Sequence, residues 1–139
     1  MRKLMITAVA AAVALGPVAA CSSGGSADQT REVCVEAIAA GTTASAAIQA
    51  KVNEGSQAVA SGDQAKLLQI AADLRKTASD WSAKLTELSQ KQIKPEVKTA
   101  LTESAATISN LADPTKNVAA SEAQTKLIEI GTKINAACA

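Results

Sequence analysis

Apolar and small residues recur at alternating steps of four and three along the first part of this 139-residue chain. This heptad spacing is the feature that most limits how the chain can fold, because it places all of the residues on one side of an α-helix. It predicts one helix over about 28–60, although a break near Gly55 is an alternative, since each glycine inside a helix costs about 1 kcal/mol relative to alanine. The positions of the seam are Cys34, Ile38, Gly41, Ser45, Ile48, Val52, Gly55 and Val59.

The segment after this helix carries the residues of a turn. Gly62 suits the left-handed conformation that closes a helix. Asp63 alone, or Ser61 together with Gln64, can cap the helix that follows. We therefore expect a second helix over about 63–91, with a seam of Leu67, Ala71, Leu74, Ala78, Trp81, Leu85 and Leu88.

Two prolines predict the remaining helix starts. Pro95 suits the first turn of a helix, and its predecessor is pushed out of the helical region, so a third helix is expected over 95–112. Asp113 followed by Pro114 repeats this pattern and predicts a fourth helix over 114–138. A start at Ser121, capped with Gln124, is the alternative. The two seams consist of Val97, Leu101, Ser104, Ile108 and Leu111, and of Ala120, Ala123, Leu127, Ile130, Ile134 and Ala137.

Four amphipathic helices joined by short connections predict an all-α, up-down-up-down four-helix bundle. No run of alternating apolar and polar residues favours a strand. In this topology the start of the first helix and the end of the fourth helix lie at the same end of the bundle. Cys34 and Cys138 are therefore expected to lie close together.

The chain begins with the parts of a secretory signal peptide. The basic residues 2–3 precede an apolar run over residues 4–15, which Gly16 and Pro17 end before it reaches the roughly 20 residues of a membrane span. A transmembrane or buried N-terminal helix is the alternative. The segment Val18-Ala19-Ala20-Cys21 resembles the bacterial lipobox, in which the cysteine receives a diacylglycerol before the leader is removed. The resemblance implies cleavage after residue 20 and a lipid anchor, with fatty acyl chains such as palmitate, on Cys21.

The export segment is similar to that of small lipoproteins of high-GC Gram-positive bacteria, and the resemblance covers this segment alone. It implies a location on the outer face of the cell membrane; in a host with an outer membrane, Ser22 is a residue type that permits sorting to it. Residues 21–27 form the expected tether, whose Gly/Ser spacer holds the 28–139 domain roughly 10 to 15 Å from the lipid headgroups.

The number of cysteines fits this interpretation. Three cysteines in an exported chain leave one unpaired, but acylation of Cys21 leaves Cys34 and Cys138 as a pair. Disulfides persist outside the cytoplasm. The expected bridge closes a loop of about 100 residues, for which the loss of chain entropy corresponds to about 4.7 kcal/mol of stabilisation. The alternative is a pair of buried free thiols that behave as small apolar side chains.

Composition argues against several classes of function. Removal of the leader takes two of the 14 basic residues and leaves 12 against 13 acidic ones, so nothing in the charge attracts nucleic acid. The chain has no His, which removes the usual general base and the common zinc ligand sets. No phosphate-binding glycine loop occurs. We therefore expect no enzyme activity, no cofactor and no metal.

The charged residues are expected to form solvated helix surfaces. Acid and base face each other at i and i+4 in Asp80 with Lys84 and in Glu87 with Lys91. Carboxylate pairs with a shared helix face can bind a hard cation or divide acid and base roles. Such pairs are usually plain surface, and we expect this of Glu32 with Glu36 and of Asp73 with Asp80.

Trp81 is the one large aromatic residue, and its place on the second seam favours a core anchor. The alternative is a cleft for an apolar ligand beside small residues such as Gly41, Ser45, Ala71 and Ala78. Two functions follow. The first is a non-catalytic helical interaction or structural module that binds an envelope protein. The second is an extracytoplasmic binding protein for a lipid or small apolar ligand near Trp81. The seams are too generic to indicate an oligomeric state.

Overall fold

A computed structural model describes residues 26–116 and 118–139 of the chain, which form four α-helices. No strand occurs in these ranges, and consecutive helices pack against one another, so the predicted all-α four-helix bundle is confirmed. The predicted signal peptide, Cys21 and the predicted spacer up to residue 25 lie outside the described residues. The helices are α1 (Ala27–Ser61), α2 (Gln64–Ser89), α3 (Pro95–Ala112) and α4 (Ala120–Ala137).

α1 is one continuous helix of 35 residues, as the heptad spacing predicts. It begins after Ser26, whose Oγ accepts a hydrogen bond from the backbone N–H of Gln29 at 3.1 Å. The helix continues through Gly55, so the alternative break there is wrong. Gly62 follows its last residue with a φ of 68°, which glycine adopts without the strain of a side chain.

The buried face of α1 only partly matches the predicted seam. Ile38, Val52 and Val59, three of the four larger apolar members of that seam, are between 42% and 67% exposed, and the fourth is half-buried. The covered face carries smaller side chains, and these let α2 approach closely enough for Trp81 to lie against Gly41. The predicted seam was therefore wrong for Ile38, Val52 and Val59. The residues buried on α1 are Thr30, Val33, Cys34, Ala37, Ala44 and Ala58.

The boundaries of α2 and α3 follow local signals in the sequence. Asp63 Oδ1 accepts a hydrogen bond at 2.9 Å from a backbone N–H in the first turn of α2. α2 ends at Ser89, slightly before the predicted end, and α3 starts at Pro95 as predicted. The backbone N–H of Lys94 donates to Thr30 Oγ1 at 3.1 Å, and this bond fastens the α2–α3 connection to α1.

α4 begins at Ala120, so the predicted start at Pro114 is wrong. Asp113 Oδ1 accepts hydrogen bonds from the backbone N–H and the hydroxyl of Thr115, at 2.9 and 2.7 Å. The acid thereby closes a local turn instead of capping a helix. The alternative start at Ser121 is one residue from the observed one, but within the described residues no side chain caps α4.

The core occupies the end of the bundle that contains the cysteines. The Sγ atoms of Cys34 and Cys138 lie 2.03 Å apart, which is disulfide distance, and this places the start of α1 beside the end of α4. Among the described residues, no member of the core cluster falls between Ala44 and Trp81. The cluster consists of Val33, Cys34, Ala37, Ala44, Trp81, Leu85, Leu88, Ile93, Val97, Leu101, Ala105, Ile108, Ile130 and Ile134.

The hairpin of α1 and α2 is longer than the helices that pack against it. The Ser82 hydroxyl donates to the carbonyl oxygen of Ala105 at 2.9 Å and lies 2.8 Å from Ser109 Oγ, which fixes the register of α2 against α3. α2 begins 18 residues before Ser82, whereas α3 ends three residues after Ser109. At 1.5 Å per residue, α2 therefore continues roughly 20 Å past the end of α3.

α4 covers only part of α1 because α4 is the shorter helix. It extends 18 residues back from the Cys34–Cys138 end, and so reaches about as far as residue 52 of the longer helix. We call residues 53–70, at the end of α1 and the start of α2, the hairpin tip. Ala58 and Ile70 are buried between its two helices, and Val59 and Leu68 are exposed.

By length and composition α1 would suffice to cross a membrane. Its most apolar window of 18 residues has a mean hydropathy of 1.3, and 22% of that window is buried. The core helix of a soluble protein meets the same criteria, so one such helix is weak support for a membrane span. In this fold α1 packs against α2 and α4 and carries the paired side chains of Lys51 and Glu54.

Candidate ligand cleft beside Trp81

Trp81 anchors the middle of the bundle. It is 5% exposed and belongs to the core cluster, as its position on the α2 seam predicts. Its ring lies against α1 because Gly41 has no side chain. The ring atoms Cζ2 and Cε2 are 3.5 and 4.0 Å from the position that a Cβ would take at Gly41. The single tryptophan of the chain therefore lies where α1 and α2 approach closely.

A cleft of about 330 Å³ opens between α1, α2 and α4, with Trp81 in its wall. This volume is at the lower end of the range for small-molecule sites, about 300 to 1,000 Å³. Gly131 contributes to the space, since a Cβ added there would have no atom within 4 Å. The lining residues are Ala37, Ile38, Gly41, Thr42, Ser45, Trp81, Leu127, Gly131, Ile134 and Asn135.

The indole N–H of Trp81 is buried and has no hydrogen-bond partner among the described residues. Nε1 is bonded to Cε2, so this N–H belongs to the ring edge that lies near Gly41. A buried donor without an acceptor costs about 1 to 3 kcal/mol, and native proteins nearly always avoid it. Ser104 Oγ on α3 is also buried without a partner, but Ser104 lies outside the cleft.

The structure brings together some of the residues that the sequence associated with a cleft. Gly41 and Ser45 line it from α1, opposite Trp81. Ala71 and Ala78 do not line it, and Ala78 packs against the core instead. The α4 side of the cleft, which includes Gly131, was not anticipated. The sequence carries the glycine, but nothing in it indicates which helix face Gly131 would meet.

The walls of the cleft carry no ionisable side chain among the described residues. Thr42 Oγ1 donates to the Ile38 carbonyl oxygen at 3.0 Å, so this hydroxyl proton is not free to bind a ligand. Ser45 and Asn135 lie in exposed positions at the rim. The cleft therefore combines neutral and largely apolar walls with one unused donor, which belongs to the lining residue Trp81.

A second, more open groove of about 950 Å³ lies on the other side of α4, against α3. Ile128 is exposed beside it, and Lys133 Nζ lies 2.7 Å from Glu103 Oε2, which links the two helices. This groove is a surface channel that contains the Lys133–Glu103 pair and has no buried unpaired group among its lining residues. α4 thus has an open cavity on each side.

Charged side chains join α1 to α2 outside the cleft. Lys84 Nζ lies 3.2 Å from Glu36 Oε2, and Lys91 Nζ lies 3.4 Å from Glu36 Oε1. The hydrogen bond from Lys84, and then the charge of Lys91, lower the pKa of Glu36. The predicted pairs along α2 are thus wrong: Lys84 contacts Glu87 rather than Asp80, and Lys91 contacts α1.

A second group of charges surrounds Lys51 near the hairpin tip. Lys51 Nζ is 3.1 Å from Asp73 Oδ2 and 3.3 Å from Glu54 Oε2. The hydrogen bonds to Asp73 and then to Glu54 raise the pKa of Lys51 and lower the pKa of both acids. Asp80 is paired with Lys76 at 2.5 Å. The carboxylates of the candidate pair Asp73 and Asp80 thus each have a lysine partner.

The other candidate pair does not form a cluster either. Glu36 is occupied by the two lysines of α2, and Glu32 is exposed on α1. Within residues 26–116 and 118–139, no group of three or more Cys, Asp or Glu side chains is placed to hold a metal ion. Among the residues that line the two cavities, Trp81 is the one with a buried polar atom that has no hydrogen-bond partner in the described part of the molecule.

Comparison of the chain with protein-family models, with curated proteins and with solved structures finds no match.

Proposed function

We propose that this protein is a lipid-anchored, non-catalytic binding protein that holds a small, largely apolar ligand in the cleft beside Trp81. The observation that carries the proposal is the buried indole N–H without an acceptor, next to a cleft of ligand size. A ligand with an acceptor atom would fill the cleft and would also accept the hydrogen bond of the unpaired indole N–H.

The anchor in this proposal is a lipid on Cys21, from the resemblance to the lipobox. The first described residue, Ser26, precedes α1 at the cysteine end of the bundle. Gly41 follows Cys34 by seven residues, so the cleft lies only about 10 Å along α1 from that end. With a spacer of roughly 10 to 15 Å, the cleft would stand close to the membrane surface, where apolar molecules are concentrated.

The test is to purify the protein from detergent-solubilised membranes and to identify extracted small molecules by mass spectrometry. We expect a stoichiometric small molecule with the wild type and little or none with Gly131→Leu, because a side chain at residue 131 fills the cleft. The matched control is Gln124→Leu, which adds the same side chain at an exposed position of α4 outside both cavities. Circular dichroism checks that both variants remain helical.

Two outcomes would refute the proposal. One is a wild-type protein that neither retains a small molecule nor takes one up from lipid extracts. The other is a molecule retained equally by Gly131→Leu and by Gln124→Leu, because such a molecule would bind outside the cleft.

The second candidate is the helical interaction module. The observation that favours it is the hairpin tip, where neither α3 nor α4 covers the exposed Val59 and Leu68. The partner in this version is an envelope protein that presents an apolar surface to the tip. Chemical cross-linking in cells tests it: Val59→Lys with Leu68→Lys should abolish a specific protein cross-link that Gly131→Leu leaves intact. A cross-link unchanged in the double variant would refute it.

A further inference from the structure

We propose that the ligand of the cleft is an uncharged amphipathic molecule, such as a fatty ester or alcohol, whose oxygen accepts the hydrogen bond from Trp81 Nε1. This inference rests on the proposed function and deepens it. It specifies the charge of the ligand, the atom that the protein recognises and the helix that must move to admit it.

Recognition follows from the unpaired donor. Trp81 Nε1 can donate one hydrogen bond and can accept none. Its ring edge lies near Gly41, at the wall that α1 contributes to the cleft. A purely apolar ligand would fill the space and leave the donor unpaired. A ligand with a carbonyl, ether or hydroxyl oxygen satisfies the donor, so the affinity of the cleft for such a ligand exceeds that for an alkane of similar size.

The side chains that line the cleft determine which charge a ligand can carry. Among the described residues that line the cleft, none carries a charge that could compensate a carboxylate or an ammonium group. The nearby lysines are engaged elsewhere: Lys133 with Glu103 of α3, and Lys84 with Glu36 of α1. A fatty acid would therefore have to bind as its uncharged form, whereas an ester or alcohol carries no such penalty.

Admission of the ligand requires α4 to move. Solvent does not reach the indole N–H in this structure, and α4 covers the cleft opposite α1. α4 is the least buried of the four helices, with Ile130 and Ile134 as its buried described residues and Cys138 linked to Cys34 at its end. The open groove towards α3 lies on its other side. An outward swing of α4 about the cysteine end opens the path to Nε1 at the cost of the core contacts of Ile130 and Ile134.

The experiment uses nuclear magnetic resonance of the isotope-labelled lipidated protein in detergent, because the chain has a single indole N–H. The probes are methyl hexanoate, hexanoate at neutral pH, and octane. We expect methyl hexanoate to shift the indole N–H resonance downfield, as a new hydrogen bond does, and to bind about tenfold more tightly than either other probe. The amide resonances of α4 should shift with it.

Trp81→Phe supplies the second arm, with the Gly131 amide resonance as the readout. Phe keeps an aromatic ring in the wall, although a smaller one, and has no donor. The affinity for methyl hexanoate should fall about tenfold relative to the affinity for octane, because only the ester loses a hydrogen bond. A general disturbance of the cleft would weaken both probes.

The outcomes separate this inference from the proposed function. If none of the three probes shifts a cleft resonance, the proposed function fails. If octane binds as tightly as methyl hexanoate, the cleft binds apolar ligands and the hydrogen-bond inference is refuted. If hexanoate binds most tightly, the inference of an uncharged ligand is refuted while a ligand site remains. Shifts at Nε1 without any change in α4 would refute the movement of that helix.

Discussion

Removal of the link between Cys34 and Cys138 should strongly destabilise the bundle. The two residues are 104 positions apart, so their bond closes almost the whole described chain into one loop. The loss of chain entropy for a loop of this size corresponds to about 4.7 kcal/mol at room temperature. This is comparable with the total stability of a small domain, about 5 to 15 kcal/mol. We expect the double variant Cys34→Ala/Cys138→Ala to lose about 3 to 5 kcal/mol.

The loss should have a local component in α4. The described residues that this helix buries are Ile130 and Ile134, so its attachment depends on the covalent link more than that of α2 or α3 does. Urea denaturation followed by circular dichroism gives the free energy of unfolding, and hydrogen exchange gives the opening of each helix. Amides of α4 should lose protection before those of α3.

The matched comparison is the wild type with and without a reducing agent, since reduction removes the bond without changing the side-chain volume. Reduction should lower the denaturation midpoint and leave the double variant unaffected. A loss below about 1 kcal/mol in both comparisons would refute the reasoning, because it would mean that the packing of α4 suffices to hold the two chain ends together. Two free thiols in the non-reduced protein would contradict it directly.

Three further predictions concern the core, the pH and the anchor. Leu85→Ala, at a fully buried position, should lower the free energy of unfolding in urea by about 2 to 5 kcal/mol. Val59→Ala, at an exposed position, should change it by less than about 0.5 kcal/mol. Equal losses would show that Val59 contributes to the core as much as Leu85 does. Lys84 lowers the pKa of Glu36 in the folded state, so the ionised carboxylate stabilises the fold. This stabilisation is fully present above the pKa of Glu36 in the unfolded chain and is lost as the pH falls through its folded pKa. The denaturation midpoint should therefore drop in acid, and it should drop less in Glu36→Gln. Cys21→Ser should release a folded protein into the soluble fraction of fractionated cells, and a variant that stays in the membrane would contradict the lipid anchor.

The sequence predicted the helix boundaries that Gly62, Asp63 and Pro95 determine. Gly62 and Asp63 close one helix and cap the next through contacts within a few residues, and Pro95 starts α3 for a reason confined to its own ring and its predecessor. Asp113 misled the prediction because the same side chain can cap a helix or close a turn. The neighbouring Thr115 donates two hydrogen bonds to it and favours the turn.

Features that depend on two helices were not predictable from one helical pattern. The heptad of α1 identifies an apolar stripe but not its partner, and α4 is too short to reach Val59. The lysines of α2 were assigned to acids on their own helix, but Glu36 on α1 lies within reach of both Lys84 and Lys91. The unpaired donor of Trp81 depends on the absence of an acceptor on neighbouring helices, which no spacing along α2 can indicate.

The unequal helix lengths give the molecule a gradient of local stability along its long axis. The hairpin tip buries only Ala58 and Ile70 among its described residues, so hydrogen exchange and proteolytic cleavage should begin there. A cut near Gly62 would separate α1 from the other three helices, but the fragments would stay joined through Cys34 and Cys138. Because Gly41 lies on one fragment and Trp81 on the other, such a nicked protein would keep its cleft assembled.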